Sequence, residues 1–435
     1  MLDYMDQSEL SAADRKFTAD VLRPTSIFPE NKQLALVLSG QQQLAEQWAA
    51  QADVQYAHSR RFSYFTFGGG SVTATTPANV DRVNTALSLI YRPAGDWDVV
   101  LDGVFSREDI TFGMQSTFMP SGEPDLDDTY TQDQKQDEWS ASLKANGTLF
   151  EVPGGRVGLA IGASHRSEDY SRKVAAWDFV EAADRKVDSA FAELHVPVVG
   201  RDNAVTGIRR LDVSLAGRYD DYSDFGSTTN PKVGISWSPV ESLELRSSYS
   251  TSFRAPAAGR ELSDSNKGTD PLMFIYSFTA PDGMGEVPIV NLFGSSKLVP
   301  EKSTNWTFGF TFRPAEVAGL EIGATYYDIS YTNRIITPPF DTGALTDPSL
   351  QVFVRSYATA AELQAAIQRI ASGPVSYYDA TGPDGNGGAF GPNPENLALY
   401  TYDTRWLNAG VVDISGFDFT VDYGFEWSGN RSSWV

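Results

Sequence analysis

The feature that most constrains this chain is an apolar/polar alternation of period two, repeated in long segments, whose polar positions hold whole charges. In residues 417–427, Phe417, Phe419, Val421, Tyr423, Phe425 and Trp427 alternate with Asp418, Thr420, Asp422, Gly424 and Glu426. In 210–219, Leu211, Val213, Leu215 and Tyr219 oppose Arg210, Asp212, Ser214 and Arg218. The same pattern sets Trp97, Val99, Leu101 and Phe105 against Asp98, Asp102 and Ser106, and Trp139, Ala141, Leu143 and Leu149 against Ser140, Ser142, Lys144 and Thr148. Period two is the strand period, because successive side chains leave opposite faces of the pleat. The pattern predicts an all-β chain with about 13 such strands, most of them about 9–13 residues long.

The connections decide what those strands build. Short ones are read near 44–48, 93–96, 151–155, 200–207, 239–242 and 314–319. They alternate with long ones over roughly 60–83, 108–137, 168–187, 221–230, 256–303 and 332–413. A β-sandwich has no reason to gather every long loop at one end, and no propeller-type repeat of about 40–50 residues is present. A transmembrane barrel has short turns at one end, long loops at the other, an apolar outside and a polar lumen. A tilted strand needs about 9–11 residues to cross a bilayer. Aromatics at the ends of apolar faces, among them Tyr91, Trp97, Trp139, Tyr219, Trp237, Trp306 and Phe312, suit an interfacial girdle. The expected fold is therefore a transmembrane antiparallel up-and-down β-barrel. Within the longest loop, 359–371 reads as a short helix, with Thr359 and Glu362 as a capping box and Leu363, Ile367 and Ile370 on one face.

Composition removes several functions. The net charge of −22 opposes nucleic-acid binding, since a phosphate backbone would be repelled. There are no cysteines, so disulfides and thiolate metal sites are excluded, and His58, His165 and His195 have no metal-ligand spacing. No metal or other cofactor is expected. The glycines at 68–70 lack the lysine and following helix of a phosphate loop. The acidic pairs Asp127-Asp128 and Asp220-Asp221 lack a calcium-loop pattern and read as solvated loop. Residues 1–30 carry Asp3, Asp6, Glu9 and Asp14 and no apolar core, unlike a signal peptide.

One stretch asks for an explanation: Phe253-Arg254-Ala255-Pro256 stops a strand at a proline, and nearly fifty turn-rich residues follow. The run 230–256, with Pro231-Lys232-Val233-Gly234 leading to Ser252-Phe253-Arg254-Ala255-Pro256, resembles the barrel of TonB-dependent outer-membrane receptors. The resemblance continues at Leu298-Val299-Pro300-Glu301 with Asn305-Trp306, at Tyr326-Tyr327-Asp328-Ile329, and at 412–423. It covers about 230–427 by motif and 31–220 by pattern. Where the family has an Asn-Pro-Asn-Leu-type turn, this chain has Gly294-Ser295-Ser296, so loop ligand contacts are not carried over.

What the resemblance implies is a barrel of 22 strands, of which this chain supplies about thirteen. Residues 33–435 form its central part and 1–32 an extracellular segment, with no plug domain or TonB-binding box. It implies a receptor in the outer membrane of a Gram-negative bacterium that binds a scarce nutrient (siderophore, haem, cobalamin or oligosaccharide) and imports it with TonB-derived energy, without catalysis. Its partners would be outer-membrane lipid, its own plug, TonB and the nutrient. The lumen-facing residues would be Arg210, Asp212, Arg218, Glu244, Arg246, Arg254, Asp418, Asp422 and Glu426. The loop aromatics Trp177, Phe274, Tyr276, Phe278, Tyr402 and Trp406 are candidates for ligand contact, by stacking on sugar or aromatic rings. A passive porin-like channel is the alternative of the same class. A secreted β-rich carbohydrate-active protein is the alternative of another, and it would show two carboxylates over an aromatic groove.

Overall fold

The computed structural model describes residues 30–67, 72–93, 95–118, 129–174, 179–257, 272–283, 285–294, 296, 298–370, 377–379, 388–391, 399–427 and 430–434. Twenty strands are present among them. They are β1 (Glu30–Ala45), β2 (Trp48–Phe67), β3 (Val72–Tyr91), β4 (Asp98–Phe118), β5 (Thr129–Val152), β6 (Gly155–Val174), β7 (Phe179–Val199), β8 (Arg210–Tyr222), β9 (Gly226–Val240) and β10 (Leu243–Arg254). Then follow β11 (Leu272–Thr279), β12 (Glu286–Phe293), β13 (Glu301–Phe312), β14 (Leu320–Ile336), β15 (Val354–Ser356), β16 (Tyr377–Asp379), β17 (Gly388–Gly391), β18 (Tyr400–Asp403), β19 (Leu407–Trp427) and β20 (Asn430–Trp434). One helix, α1, spans Ala360–Gln368. No described helix is long and apolar enough to cross a membrane.

The main antiparallel sheet runs in chain order through β10 and continues with β13, β14, β19 and β20. It has thirteen long strands and a five-residue fourteenth, β20. The strand lengths correct the sequence reading. They run from 12 residues in β10 to 24 in β5, not about 9–13. The expected long loop 60–83 is mostly strand, since β2 reaches Phe67 and β3 resumes at Val72. Most of 108–137 and 168–187 is likewise strand. These strand ends carry polar residues on both faces, so ladder hydrogen bonds hold them with little help from an apolar pattern. Only the connections after β10 and β14 stay very long.

By compactness the chain divides into two units. The first comprises Met1–Arg92, Val100–Leu143 and His165–Asp184, and the second Pro93–Val99, Lys144–Ser164 and Arg185–Val435. In the second unit two tight turns depend on glycine. A Cβ on Gly154 would lie 1.9 Å from the Pro197 carbonyl oxygen, and Gly319 adopts φ +85° while its own carbonyl accepts from the Gly424 N–H at 2.9 Å.

Within the second unit, the two long connections fold into a separate six-stranded sheet of order β15-β18-β12-β11-β16-β17. Its β11–β12 hairpin is antiparallel, while β16 joins β11 and β18 joins β12 in parallel. Each face has its own core. On one side, α1 packs Leu363 and Ile367 against Ile275, Val290 and Leu292. On the other, Ala344, Leu345 and Leu350 cover Phe278, Ile289 and Tyr402. The helix begins at the predicted N-cap, where Thr359 Oγ1 accepts from the Glu362 N–H, but the Glu362 carboxylate accepts from the Ala358 N–H and not from that of Thr359, so only half of the expected capping box forms. Ile370 lies beyond the helix end and is exposed.

Candidate functional site

Three surfaces of the second unit bear on function: an apolar sheet face, a polar sheet face and the loop module. The apolar face follows from register. Leu245 of β10 faces Phe310 of β13, which faces Ala324 of β14, which faces Phe419 of β19. One step along, Ser247, Phe308, Tyr326 and Phe417 form the next row. The four phenylalanines among them are exposed, Phe417 at 64 % and Phe419 at 75 %, and the others are half-buried. A water-facing sheet would not display such a row, whereas hydrocarbon accepts it without cost. Aromatic pairs mark one margin, with Tyr249 and Trp306 ring centroids 4.6 Å apart, and Trp237, Phe312 and Tyr423 mark the other. From Trp306 to Phe312 the chain covers about 20 Å of strand, close to the ~25 Å apolar band of outer-membrane barrels.

The opposite face is polar and largely self-paired. Arg210 donates to Asp212, with Nε to Oδ2 at 2.5 Å, and His195 Nε2 lies 3.4 Å from the same carboxylate. Arg218 pairs with the buried Asp220, which also accepts from Ser189 Oγ at 2.6 Å. Glu244 accepts from Ser236 Oγ at 2.9 Å and has Arg313 at 3.9 Å. Asp418 and Asp422 stand in register with Thr325 and Glu321 of β14. Glu426 pairs by backbone with Arg431, and its side chain falls outside the described residues. The polar positions from β8 to β19 therefore share one face.

At the rim beside the long connections, the Phe-Arg-Ala-Pro strand end finds its partners. Arg254 sits opposite Glu301 in the β10–β13 ladder and donates from Nη1 to Oε2 at 2.8 Å. Glu301 is fully buried and also accepts from the Tyr331 hydroxyl and from the Ile335 N–H at 2.6 Å. One carboxylate thus ties together β10, β13 and β14 where both long connections depart. Phe253 meets Tyr222 edge-on at 5.7 Å. The Pro256 carbonyl accepts from Arg185 Nη2 at 2.8 Å, and Arg185 pairs with Asp224 at 2.7 Å and lies over the Tyr222 and Phe225 rings. The proline ends β10 because it has no N–H to donate, and its carbonyl is held by a buried cation.

Next to this rim, the returning legs of the two connections run side by side. The Thr404 N–H donates to the Leu292 carbonyl, Trp406 N–H to Gly294, and Ser296 N–H to Trp406. Asn408 then grips the next turn down. Its Nδ2 donates to the Val299 carbonyl at 2.8 Å and the Asn333 carbonyl at 2.7 Å, while its Oδ1 accepts from the Val299 N–H at 2.8 Å. Asn333 has φ 55° and sits in a register shift of β14, so a bulge presents its carbonyl to Asn408. Sequence reading missed Asn408, Asn333, Glu301 as a hub and Arg185. Only Glu301 carried a signal, as part of the Leu-x-Pro-Glu motif.

Of the six loop aromatics, the side chains of four, Tyr276, Phe278, Tyr402 and Trp406, lie among the described residues. Phe278 and Tyr402 are completely buried and build the module's core, with ring centroids 5.8 Å apart, and the Tyr402 hydroxyl donates to the Pro339 carbonyl. This corrects their assignment as ligand contacts, because neither presents any surface. Tyr276 is partly buried and meets the half-exposed Phe340 at 5.0 Å, and Trp406 is partly buried beside Ser296. Phe274 pairs with Asn291 in the β11–β12 hairpin, its side chain lying outside the described residues, as does all of Trp177.

In the first unit, the polar pattern again forms cross-strand pairs: His58 Nδ1 with Asp81 at 2.9 Å, Arg107 with Asp137 at 2.6 Å, and Ser39 with Asp53 at 2.6 Å. His165 stacks at a tilt on Trp139, 5.1 Å between centroids.

Residues 94–435 match the family model described as TonB dependent receptor-like, beta-barrel. No curated protein matches the chain in sequence. Among solved structures, the siderophore receptor PirA from Acinetobacter baumannii aligns over 93 % of this chain and 59 % of its own, at 13 % identity and a TM-score of 0.52. The RagAB peptide importer in its open-open state aligns over 93 % of this chain and 45 % of its own, at 11 % identity and a TM-score of 0.53. Identities this low speak for the fold alone. The chain spans between 45 % and 59 % of the length of these two relatives.

Proposed function

Because this chain belongs to the TonB dependent receptor-like β-barrel family, whose members are transporters of the bacterial outer membrane and not enzymes, we propose that it is the central part of a receptor. That receptor binds a scarce nutrient outside the cell and imports it with energy delivered through TonB. In this reading the apolar face meets lipid and the polar face, with Arg210, Asp212, Arg218, Glu244, Arg246, Arg254, Asp418, Asp422 and Glu426, is the lumen wall that a plug domain occupies. Residues 33–435 supply barrel and loops, and 1–32 an extracellular segment. The observation that carries the reading is the loop module: two long connections, rooted on one rim, form a double-cored body beside a sheet with one lipid-type and one polar face. A passive channel needs no such body.

The nutrient class follows from an uptake panel. Cells producing the whole receptor are offered labelled ferric siderophore, haem, cobalamin, oligosaccharide and oligopeptide, the last because a solved relative is titled a peptide importer. The receptor reading expects saturable uptake of one class that disappears when TonB is removed. Linear uptake independent of TonB would establish the porin-like alternative.

A further inference from the structure

In the first unit the apolar side of the sheet does not end where its apolar residues end. In β5, Asp133, Lys135 and Asp137 share a face with Trp139 and Leu143, because side chains two apart leave the same side of a strand. In the same way β4 sets Arg107, Asp109 and Thr111 beyond Leu101 and Phe105, and β6 sets Asp169, Ser171 and Lys173 beyond Ile161 and His165. Contacts between strands put the three series on one side. Arg107 pairs with Asp137, Thr111 Oγ1 donates to Asp133 at 2.9 Å, and His165 lies against Trp139. Leu101, Phe105, Leu143 and Ile161 are all exposed, so this is the lipid-type side, continued by charged residues toward one set of strand ends.

Those strand ends form an open groove of about 670 Å³, lined by Asp109, Thr111, Asp133, Lys135, Ser171 and Lys173 and by the exposed Val180 of β7. A volume of that order holds an organic group much larger than a single inorganic ion. Lys135 and Lys173 are exposed and make no hydrogen bond or ion pair among the described residues. The carboxylates on either side of Lys135 are engaged elsewhere. Asp137 takes two bonds from Arg107, at 2.6 and 2.7 Å, and Asp133 takes the Thr111 hydroxyl. Two ammonium groups without a partner suit phosphate. Carboxylates and hydroxyls beside them suit the hydroxyls of a sugar, which donate and accept in turn.

Height above the apolar belt selects the carrier of that phosphate. From Trp139 to Lys135 is about 13 Å of strand, and from His165 to Lys173 about 26 Å. A strand tilt of about 35–45° turns these into about 10 and 20 Å above the aromatic rings. A phosphate joined directly to a diacylglycerol stays near the level of the rings, whereas linked sugars reach both lysines. We propose that this groove holds the phosphorylated oligosaccharide headgroup of a membrane glycolipid. Its phosphates meet Lys135 and Lys173, its hydroxyls meet Asp109, Thr111, Asp133 and Ser171, and its acyl chains lie along the exposed leucines, Phe105 and Ile161. Groove and apolar belt occupy the same side of the same strands, and only an amphiphile fills both. The proposal rests on the membrane assignment of these strands and is independent of the nutrient.

The test uses the full chain folded in detergent micelles, with native mass spectrometry reading the fraction that retains one added lipid. The probe is a synthetic acylated diglucosamine carrying two phosphates. Its apparent Kd should rise at least tenfold in Lys135→Glu and in Lys173→Glu. It should be unchanged in Arg201→Glu, which alters net charge equally but lies in the connection after β7. Lys135→Gln and Lys173→Gln should weaken retention in the same direction, and they carry the test if a reversal variant fails to fold, as judged by heat-dependent gel mobility. No retention by the folded parent, equal weakening by Arg201→Glu, or equal retention of the same lipid stripped of its phosphates would overturn the site. Equal retention of phosphatidylglycerol would overturn the oligosaccharide assignment. Displacement by an equimolar amount of the deacylated headgroup would show a site for a soluble phosphosugar and overturn the lipid assignment. None of these readouts depends on nutrient uptake, so failure of the receptor reading would be seen separately in the uptake panel.

Discussion

Glu301 and Tyr402 show how single side chains hold this molecule together. Glu301 accepts from Arg254, Tyr331 and the Ile335 N–H, and it is fully buried although Arg254 stays half exposed. Glu301→Ala removes the shared acceptor of three donors at once. It should destabilise the rim by roughly 2–4 kcal/mol, read as a lower urea midpoint for folding into lipid vesicles; Glu301→Gln, which keeps one acceptor, should cost less. Tyr402 is a different case. Burial, with the nearby charges of Asp341 and Asp347, raises its phenol above the ordinary value. The protonated phenol is thus the form the folded module favours. Its stabilising contribution is complete below the unfolded value of about 10 and is lost as pH rises through the raised value. Protection factors in β18 and β12, which divide out the base-catalysed intrinsic exchange rate, should fall above pH ~10 in the parent, and this alkaline loss should flatten in Tyr402→Phe. That variant should also lose about 1 kcal/mol at neutral pH with its bond to Pro339. A parent with no alkaline loss of protection would contradict the assigned environment.

At the scale of elements, the central strands were legible and the loop module was not. Alternation in 417–427 predicts which residues of that half of β19 share a face, and the ladder with β14 over 417–423 agrees, because hydrocarbon on one side and polar groups on the other impose the same period on sequence and structure. Phe419→Arg should therefore cost ~2–4 kcal/mol in lipid if the residue is near mid-bilayer; no change in the lipid-folding midpoint would count against the membrane assignment. The strand ends past the apolar band lose this period, which is why 60–67 and 72–83 read as loop. The β11–β12 hairpin was hidden for the opposite reason. Its sheet is covered on both faces, so Ile275, Val290 and Leu292 serve one core while Phe278 and Ile289 serve the other, and no alternation survives. The helix remained readable from its cap. Leu363→Ala removes the side chain that closes the α1 core and should cost about 2–5 kcal/mol of local stability. Limited proteolysis should then cut within 337–406 while β13 and β14 keep their exchange protection; simultaneous loss in all of them would mean that module and sheet form one cooperative body.

For the whole molecule, the account depends on one relation: alternate residues of the same strand meet hydrocarbon and water. Family, apolar belt and self-paired polar face agree on it. The role of Tyr402 was not legible because its burial arises only when register brings β12 and β18, distant in sequence, together. The chain has no cysteine, so single cysteines can be placed along β19 without background. The most direct test is a scan from Gly416 to Asp422 in outer membranes, reading quenching of an attached fluorophore by a lipid-chain spin label and, in parallel, reaction with a charged maleimide from the water phase. The account predicts that positions 417, 419 and 421 are quenched by lipid and slow with the maleimide, while 416, 418, 420 and 422 show the reverse. Uniform behaviour along the strand, or lipid quenching at 418 and 422, would contradict it.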